Sequence, residues 1–161
     1  MSGASFVLYG ANGYTGELIA RAAVERGLQP LLAGRSREAV TRLAGELGCG
    51  SLVIGLEDVT ALTQVLRGAR AVLHCAGPFS ATAAPMLEAC LAARVHYLDI
   101  TGELAVFERA QSLGPRAAEA GVVLCPGVGF DVVPSDCLAA ALVEALPEAT
   151  YLALGFDSGM R

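Results

Sequence analysis

The stretch Phe6-Val7-Leu8-Tyr9-Gly10-Ala11-Asn12-Gly13-Tyr14-Thr15-Gly16-Glu17 decides the fold. Residues 5–9 form a short apolar run of β character that stops at Gly10. Beyond the glycines, Leu18, Ile19, Ala22 and Ala23 recur at helical spacing, so a helix is expected over 15–26, halted by Gly27. Three glycines spaced G-x-x-G-x-x-G lie between strand and helix. One permits a tight turn, another lets the backbone approach a pyrophosphate, and Gly16 lets helix and strand pack without a Cβ between them. The N–H groups at the helix start and the helix dipole then face an anion. A plain tight turn is the alternative, but strand, loop and helix in this order favour a dinucleotide site. A P-loop is excluded, because the first charged residue after the glycines is Glu17 and not a lysine.

The same alternation continues outward. Further strands are expected over 29–33, 51–56, 69–75, 96–100, 121–125 and 150–156. Between them lie helical stretches. Ser36 caps one that carries Ala39, Val40, Leu43 and Leu47 on a single face. Others cover 59–66, 83–93 entered through Pro85, and 104–120 with Gly114-Pro115 as a point of interruption. The last covers 134–146, with Pro134 in its first turn. The strands are apolar on both sides, as a covered parallel sheet requires. The expected class is α/β: a Rossmann-like, doubly wound parallel sheet in a three-layer α/β/α sandwich. Residues 1–146 then make one NAD(P)-binding domain. The strand from 150 has no return helix after it, so 147–161 is expected to open a second, substrate-binding domain that this chain truncates.

The end of the second strand selects the cofactor. An acid there would bond a ribose 2′-OH and favour NAD, whereas an arginine meets the 2′-phosphate of NADP. The sequence reads Gly34-Arg35-Ser36-Arg37, with no acid before Glu38. Arg35 can pair with a phosphate through two N–H groups, and Ser36 can donate beside it. The expected cofactor is NADP (NADPH), held by Gly10, Asn12, Gly13, Tyr14 and Thr15 of the loop together with Arg35 and Ser36. After the fourth strand, Cys75, Ala76, Gly77 and Pro78 are small enough to leave room for the nicotinamide ribose; an ordinary turn is the other reading. Asp58 is placed either to meet the adenine amine or to cap the next helix.

Composition narrows the partners. The net charge is −5, and all eleven basic residues are arginine. An acidic chain has no general affinity for polyphosphate backbones, so nucleic acid is not expected. The longest uncharged stretch, 71–87, is broken by Gly77, Pro78 and Pro85 and falls short of a membrane span. Met1-Ser2-Gly3-Ala4 offers no secretory signal, and a cytoplasmic location is expected. The five cysteines form no C-x-x-C pair, and neither they nor the two histidines have metal spacing, so no metal is expected. Short-chain dehydrogenases share a loop of this kind but use a Tyr-x-x-x-Lys pair, which a chain without lysine cannot supply.

Several segments together resemble a known family. They are the loop Gly10 to Gly16, Leu32-Ala33-Gly34-Arg35-Ser36, Cys75-Ala76-Gly77-Pro78-Phe79, His96-Tyr97-Leu98-Asp99-Ile100-Thr101-Gly102-Glu103, and Pro126-Gly127-Val128-Gly129-Phe130-Asp131-Val132-Val133-Pro134-Ser135-Asp136. They are similar to the saccharopine dehydrogenase-like proteins, in particular the branch that holds trans-acting enoyl reductases. Asn12 departs from the more usual threonine. The resemblance implies an NADP-dependent reductase whose second α/β domain completes the site for a small-molecule substrate. Asp99 and Asp131 are weak candidates for catalysis. Each of Asp99, Glu103 and Asp131 can instead cap a helix or tie a loop, which is the favoured reading, and Tyr97 is placed in the core. A non-catalytic NADP-sensing module is the alternative function. Apolar surface left by truncation would favour a homodimer.

Overall fold

The computed structural model describes residues 6–130 and 132–155. Six strands lie in one parallel sheet: β1 (Val7–Tyr9), β2 (Leu31–Gly34), β3 (Gly50–Val53), β4 (Ala71–His74), β5 (His96–Asp99) and β6 (Leu124–Cys125). Their spatial order is β3-β2-β1-β4-β5-β6. The chain therefore runs outward one way from β1, returns, and runs outward the other way, which is the doubly wound arrangement. The expected fold class is the one observed.

Each connection is helical. The helices are α1 (Tyr14–Glu25), α2 (Arg37–Leu47), α3 (Val59–Leu66), α4 (Phe79–Ala93), α5 (Leu104–Ser112), α6 (Gly114–Ala120) and α7 (Val133–Ala145). Side chains alternate across the pleat, so β1 serves both faces. Leu8 packs with Ala20, Leu32, Val40 and Leu43 under α1 and α2. Val7 and Tyr9 turn the other way and pack with Leu62, Leu66, Met86 and Leu87 under α3 and α4. A strand buried on both sides has no polar face to offer, which is why this run reads as continuous apolar sequence.

Local chemistry sets the helix ends. The Ser36 Oγ accepts from the Ala39 N–H at 3.4 Å and starts α2. The Asp58 Oδ1 accepts from the Ala61 N–H at 2.9 Å, so of its two expected roles the structure shows the helix cap. The interruption at Gly114-Pro115 is real: α5 ends at Ser112 and α6 starts at Gly114.

Most element boundaries differ from expectation by one to three residues, and three departures have an evident physical reason. Helix α4 begins at Phe79, ahead of residue 83, and Pro85 sits inside it. A partner far away in sequence supplies the helix start, as shown below. Strand β6 keeps only Leu124 and Cys125, because only these meet β5, opposite Tyr97 and Leu98. The strand expected over 150–156 is absent from its described part, 150–155. A strand needs a neighbour to bond with, and no described strand lies beside it.

His74 ends β4 inside the core and is fully buried. Its Nε2 lies 3.1 Å from the Thr82 Oγ1, and that hydroxyl donates to the Ala76 carbonyl at 2.6 Å. The hydroxyl thus accepts from Nε2–H, which leaves Nδ1 as an unpaired acceptor between aromatic rings. Burial depresses its pKa to about 4. The unfolded chain takes up this proton near pH 6.5 and the folded chain only near 4, so stability present at neutral pH is lost as pH falls across that window. The loss from this group reaches roughly 3 kcal/mol. Urea unfolding at pH 7 and pH 4.5 should therefore show a smaller acid loss for His74→Leu than for the parent chain. Equal losses would show that His74 is not the proton acceptor.

Candidate cofactor site

The sheet order reverses between β1 and β4, and ligands of open α/β sheets bind at such a point, beyond the carboxyl ends of the strands. The loops after β1, β2 and β4 meet there around a cleft of about 590 Å³. The first loop gives Gly10, Asn12 and Gly13, the second Gly34, Arg35 and Ser36, and the third Cys75, Ala76 and Gly77. Tyr9 completes the lining.

Gly10 lies at the centre of this meeting. Its φ of +81° is costly for a residue with a side chain. A Cβ there would also stand 2.8 Å from the Ala76 nitrogen and the Cys75 carbonyl carbon. Its N–H donates to the Ala33 carbonyl at 2.8 Å, and the Ala11 N–H shares that carbonyl at 3.2 Å. The loop is thus drawn onto β2 while lying against the loop after β4. Gly16 has a role other than the expected separation of helix from strand. A Cβ on it would collide with the Gly10 carbonyl oxygen, so it admits the loop's own backbone.

The loop leaves donors free. Gly13 caps α1 without a side chain, so the first-turn N–H groups of Tyr14, Thr15 and Gly16 have no side-chain cap. The nearest acid, Glu17, is drawn back along the helix to Arg21, at 2.6 Å. An anion at this end therefore meets N–H groups and the positive end of the helix dipole.

Arg35 is exposed and makes no hydrogen bond or ion pair among the described residues. Ser36 uses its oxygen to cap α2 and keeps its proton to donate. The Tyr9 hydroxyl donates to the Ile54 carbonyl at 3.1 Å. Burial pushes its pKa up, Arg35 partly offsets this, and Glu57 adds to it. On the other side, burial and then the charge of Asp99 push the Cys75 thiol up to about 12. Cys75 is therefore a neutral wall at physiological pH, not a nucleophile.

The polar residues after β5 form a chain of hydrogen bonds. Asp99 is fully buried. Its Oδ2 accepts from the Tyr97 hydroxyl at 2.5 Å. Its Oδ1 accepts from the N–H groups of Thr101 at 3.0 Å and Gly127 at 2.8 Å. Burial and the bond to Asp99 hold the Tyr97 hydroxyl protonated, well above its usual range. The Thr101 Oγ1 accepts from the Glu103 N–H at 3.0 Å. Glu103 then reaches the start of α4, its two oxygens accepting from the N–H groups of Phe79 and Ser80, each at 2.7 Å. Hydrogen bonding from Ser80, then from Phe79, holds its carboxyl below the usual range. Pro78 precedes α4 and cannot cap it, so Glu103 supplies the missing acceptor.

Eight of the residues expected to bind cofactor line one cleft: Gly10, Asn12, Gly13, Arg35, Ser36, Cys75, Ala76 and Gly77. Tyr14, Thr15 and Pro78 lie outside the lining, and the Tyr14 side chain is 86% exposed. Asp131 falls outside the described residues. Sequence reasoning missed Tyr9 and Gly34. The strand end before the loop was a usable signal for Tyr9, whereas Gly34 needed the register of β1 on β2.

The family model described as the saccharopine dehydrogenase NADP binding domain matches residues 6–125. The chain belongs to this family. A saccharopine dehydrogenase-like oxidoreductase of Homo sapiens is 29% identical over 150 residues, covering 81% of this chain and 35% of its own length. A trans-acting enoyl reductase of Mycobacterium leprae is 33% identical over 138 residues, covering 81% of this chain and 33% of its own length. The chain thus spans about a third of the curated relatives it matches. Among solved structures, apo saccharopine dehydrogenase (L-Glu forming) from Saccharomyces cerevisiae superposes with a TM-score of 0.76 at 16% identity. That match covers 89% of this chain and 31% of the other, and at this identity it shows the fold alone.

Replacing Asp99 by alanine would leave the Tyr97 hydroxyl and two backbone N–H groups unpaired in the core. Asp99→Ala should lower stability by about 3 kcal/mol or more, measured by urea unfolding. A loss within that of an ordinary surface substitution would show that the carboxylate does not tie these loops.

Proposed function

We propose that this chain holds NADP(H) for an oxidoreductase that transfers hydride to or from a small-molecule substrate. The observation that carries this reading is the convergence of Gly10, Gly13, Arg35, Ser36 and Gly77 on one cleft at the reversal point of the sheet. The residues fit the cofactor. Gly10 and Gly16 let the loop fold tightly against itself and the loop after β4, and the uncapped N–H groups of Tyr14 and Thr15 are left to take a pyrophosphate. Arg35 and Ser36 take the 2′-phosphate. Cys75, Ala76, Gly77 and Pro78 border the nicotinamide ribose. Bound there, the cofactor would donate or accept the hydride, and the chain's own residues bind and orient it.

Asp99 and Glu103 act in this reading as ties. Their oxygens accept from N–H groups of the β5 and β6 loops and of α4, which fixes the third loop. Asp99 stays a weak candidate for proton transfer, as does Asp131.

The substrate half of the site belongs in this reading to a second domain that residues 147–161 begin. Two observations support it: α7 buries none of its residues, and the relatives are about three times longer. Among the described residues, no helix is long and apolar enough to cross a membrane. A cytoplasmic location fits the proposed use of NADPH. Self-association through the exposed α7 side is expected of this chain on its own.

Titration with NADPH and NADH tests the cofactor reading. Arg35→Ala should weaken NADPH about tenfold or more and leave NADH nearly unchanged. Equal losses would mean that Arg35 does not read the 2′-phosphate. The domain reading expects no turnover from this chain alone. Oxidation of NADPH by the isolated chain with a small aldehyde, ketone or enoyl substrate would overturn it.

A further inference from the structure

Gly34 is the last residue of β2 and precedes Arg35 and Ser36. A Cβ on it would stand 2.9 Å from the Asn12 Oδ1 and 3.1 Å from the Val40 Cγ2. The Asn12 amide therefore lies over the end of β2, in space that only a glycine leaves open. Asn12, Gly34, Arg35 and Ser36 line the same cleft. The Asn12 side chain is exposed, and among the described residues no hydrogen bond holds its amide in this place.

An amide carries two N–H donors and one acceptor, with no net charge. A phosphate on the ribose 2′ position can only accept, so it uses the donors. A carboxylate of the same shape would repel that phosphate and would instead accept from a free 2′-OH. We infer that Asn12 is a specificity-determining residue that donates to the 2′-phosphate beside Arg35 and Ser36. This rests on the proposed cofactor reading. It adds that preference for NADPH is shared between two loops, with the glycine loop reading the 2′ position as well as the pyrophosphate.

Asn12→Asp changes charge without changing shape, at an exposed position where folding is not at risk. The test is titration of the full chain with NADPH and NADH, for the parent, Asn12→Asp, Gly34→Ala and Arg35→Ala. Asn12→Asp should weaken NADPH about tenfold or more, with NADH unchanged or tighter. Gly34→Ala places a Cβ where the amide lies, and should lower the preference for NADPH with no charge added. The inference is overturned if Asn12→Asp leaves the ratio of the two affinities unchanged while Arg35→Ala collapses it; the cofactor reading then stands without it. If the parent binds neither nucleotide, the cofactor reading fails and the inference with it; if Asn12→Asp and Arg35→Ala both leave the ratio unchanged, neither residue reads the 2′-phosphate and the inference is overturned.

Discussion

The loop after β1 lies against the loop after β4 more closely than a side chain on Gly10 would permit, and the site depends on that approach. The neighbouring strands β2 and β4 stand one hydrogen-bonding step from β1, on either side of it. A Cβ on Gly10 would strike the loop after β4, and one on Gly16 would strike Gly10 itself. A Cβ on Gly34 would meet only the side-chain ends of Asn12 and Val40. Glycine at 10 and 16 lets the first loop close on itself and against the third, and each loop then offers something different to a ligand. The first gives backbone donors, the second a cation and a hydroxyl, and the third a wall of small neutral groups. The Cys75 thiol belongs to that wall, because the burial that accompanies the close approach keeps it protonated.

The loop after β4 needs a second support, because it leads into a helix that its own sequence cannot start. Pro78 has no side-chain acceptor, and Pro85 lacks an N–H within the helix. Glu103 fills the deficit from the loop after β5, with two short bonds to the first N–H groups of α4. Its own placement follows from Thr101, and that of Thr101 from Asp99. Asp99 also binds Gly127, so one buried carboxylate fixes the loops of β5 and β6 relative to each other. Asp99 and Glu103, which looked like candidates for chemistry, thus hold the loop after β4 in shape.

What the sequence made legible was local. The period of the apolar residues marked the strands and helices, and the glycines marked the turn between the first two. Arg35 was legible through its distance from the loop, because strand and helix lengths in this unit vary little. Features that depend on contacts between distant residues were not legible. The Glu103 cap joins residues 24 apart, so α4 was expected to begin at 83. The place of Gly34 under Asn12 depends on strand register, which no window of sequence contains. The strand expected over 150–156 had the right composition, but composition does not supply a neighbour.

Helix α7 obeys a different logic from the helices that flank the sheet. The other six each bury residues, whereas α7 buries none and exposes Val133, Leu138 and Val143. Its apolar side chains line two shallow cavities, one of about 310 Å³ shared with Phe130 and Leu154 and one of about 240 Å³ shared with Tyr151 and Leu152. An isolated helix of this length is marginal in water, and apolar packing is what normally holds one. The cofactor cleft depends on none of this, since its three loops are fixed by the sheet, by glycine backbone and by the Asp99–Glu103 chain. The cleft and the exposed apolar side of α7 therefore rest on separate sets of contacts, and a change on one side leaves Gly10, Gly16 and Arg35 as they are.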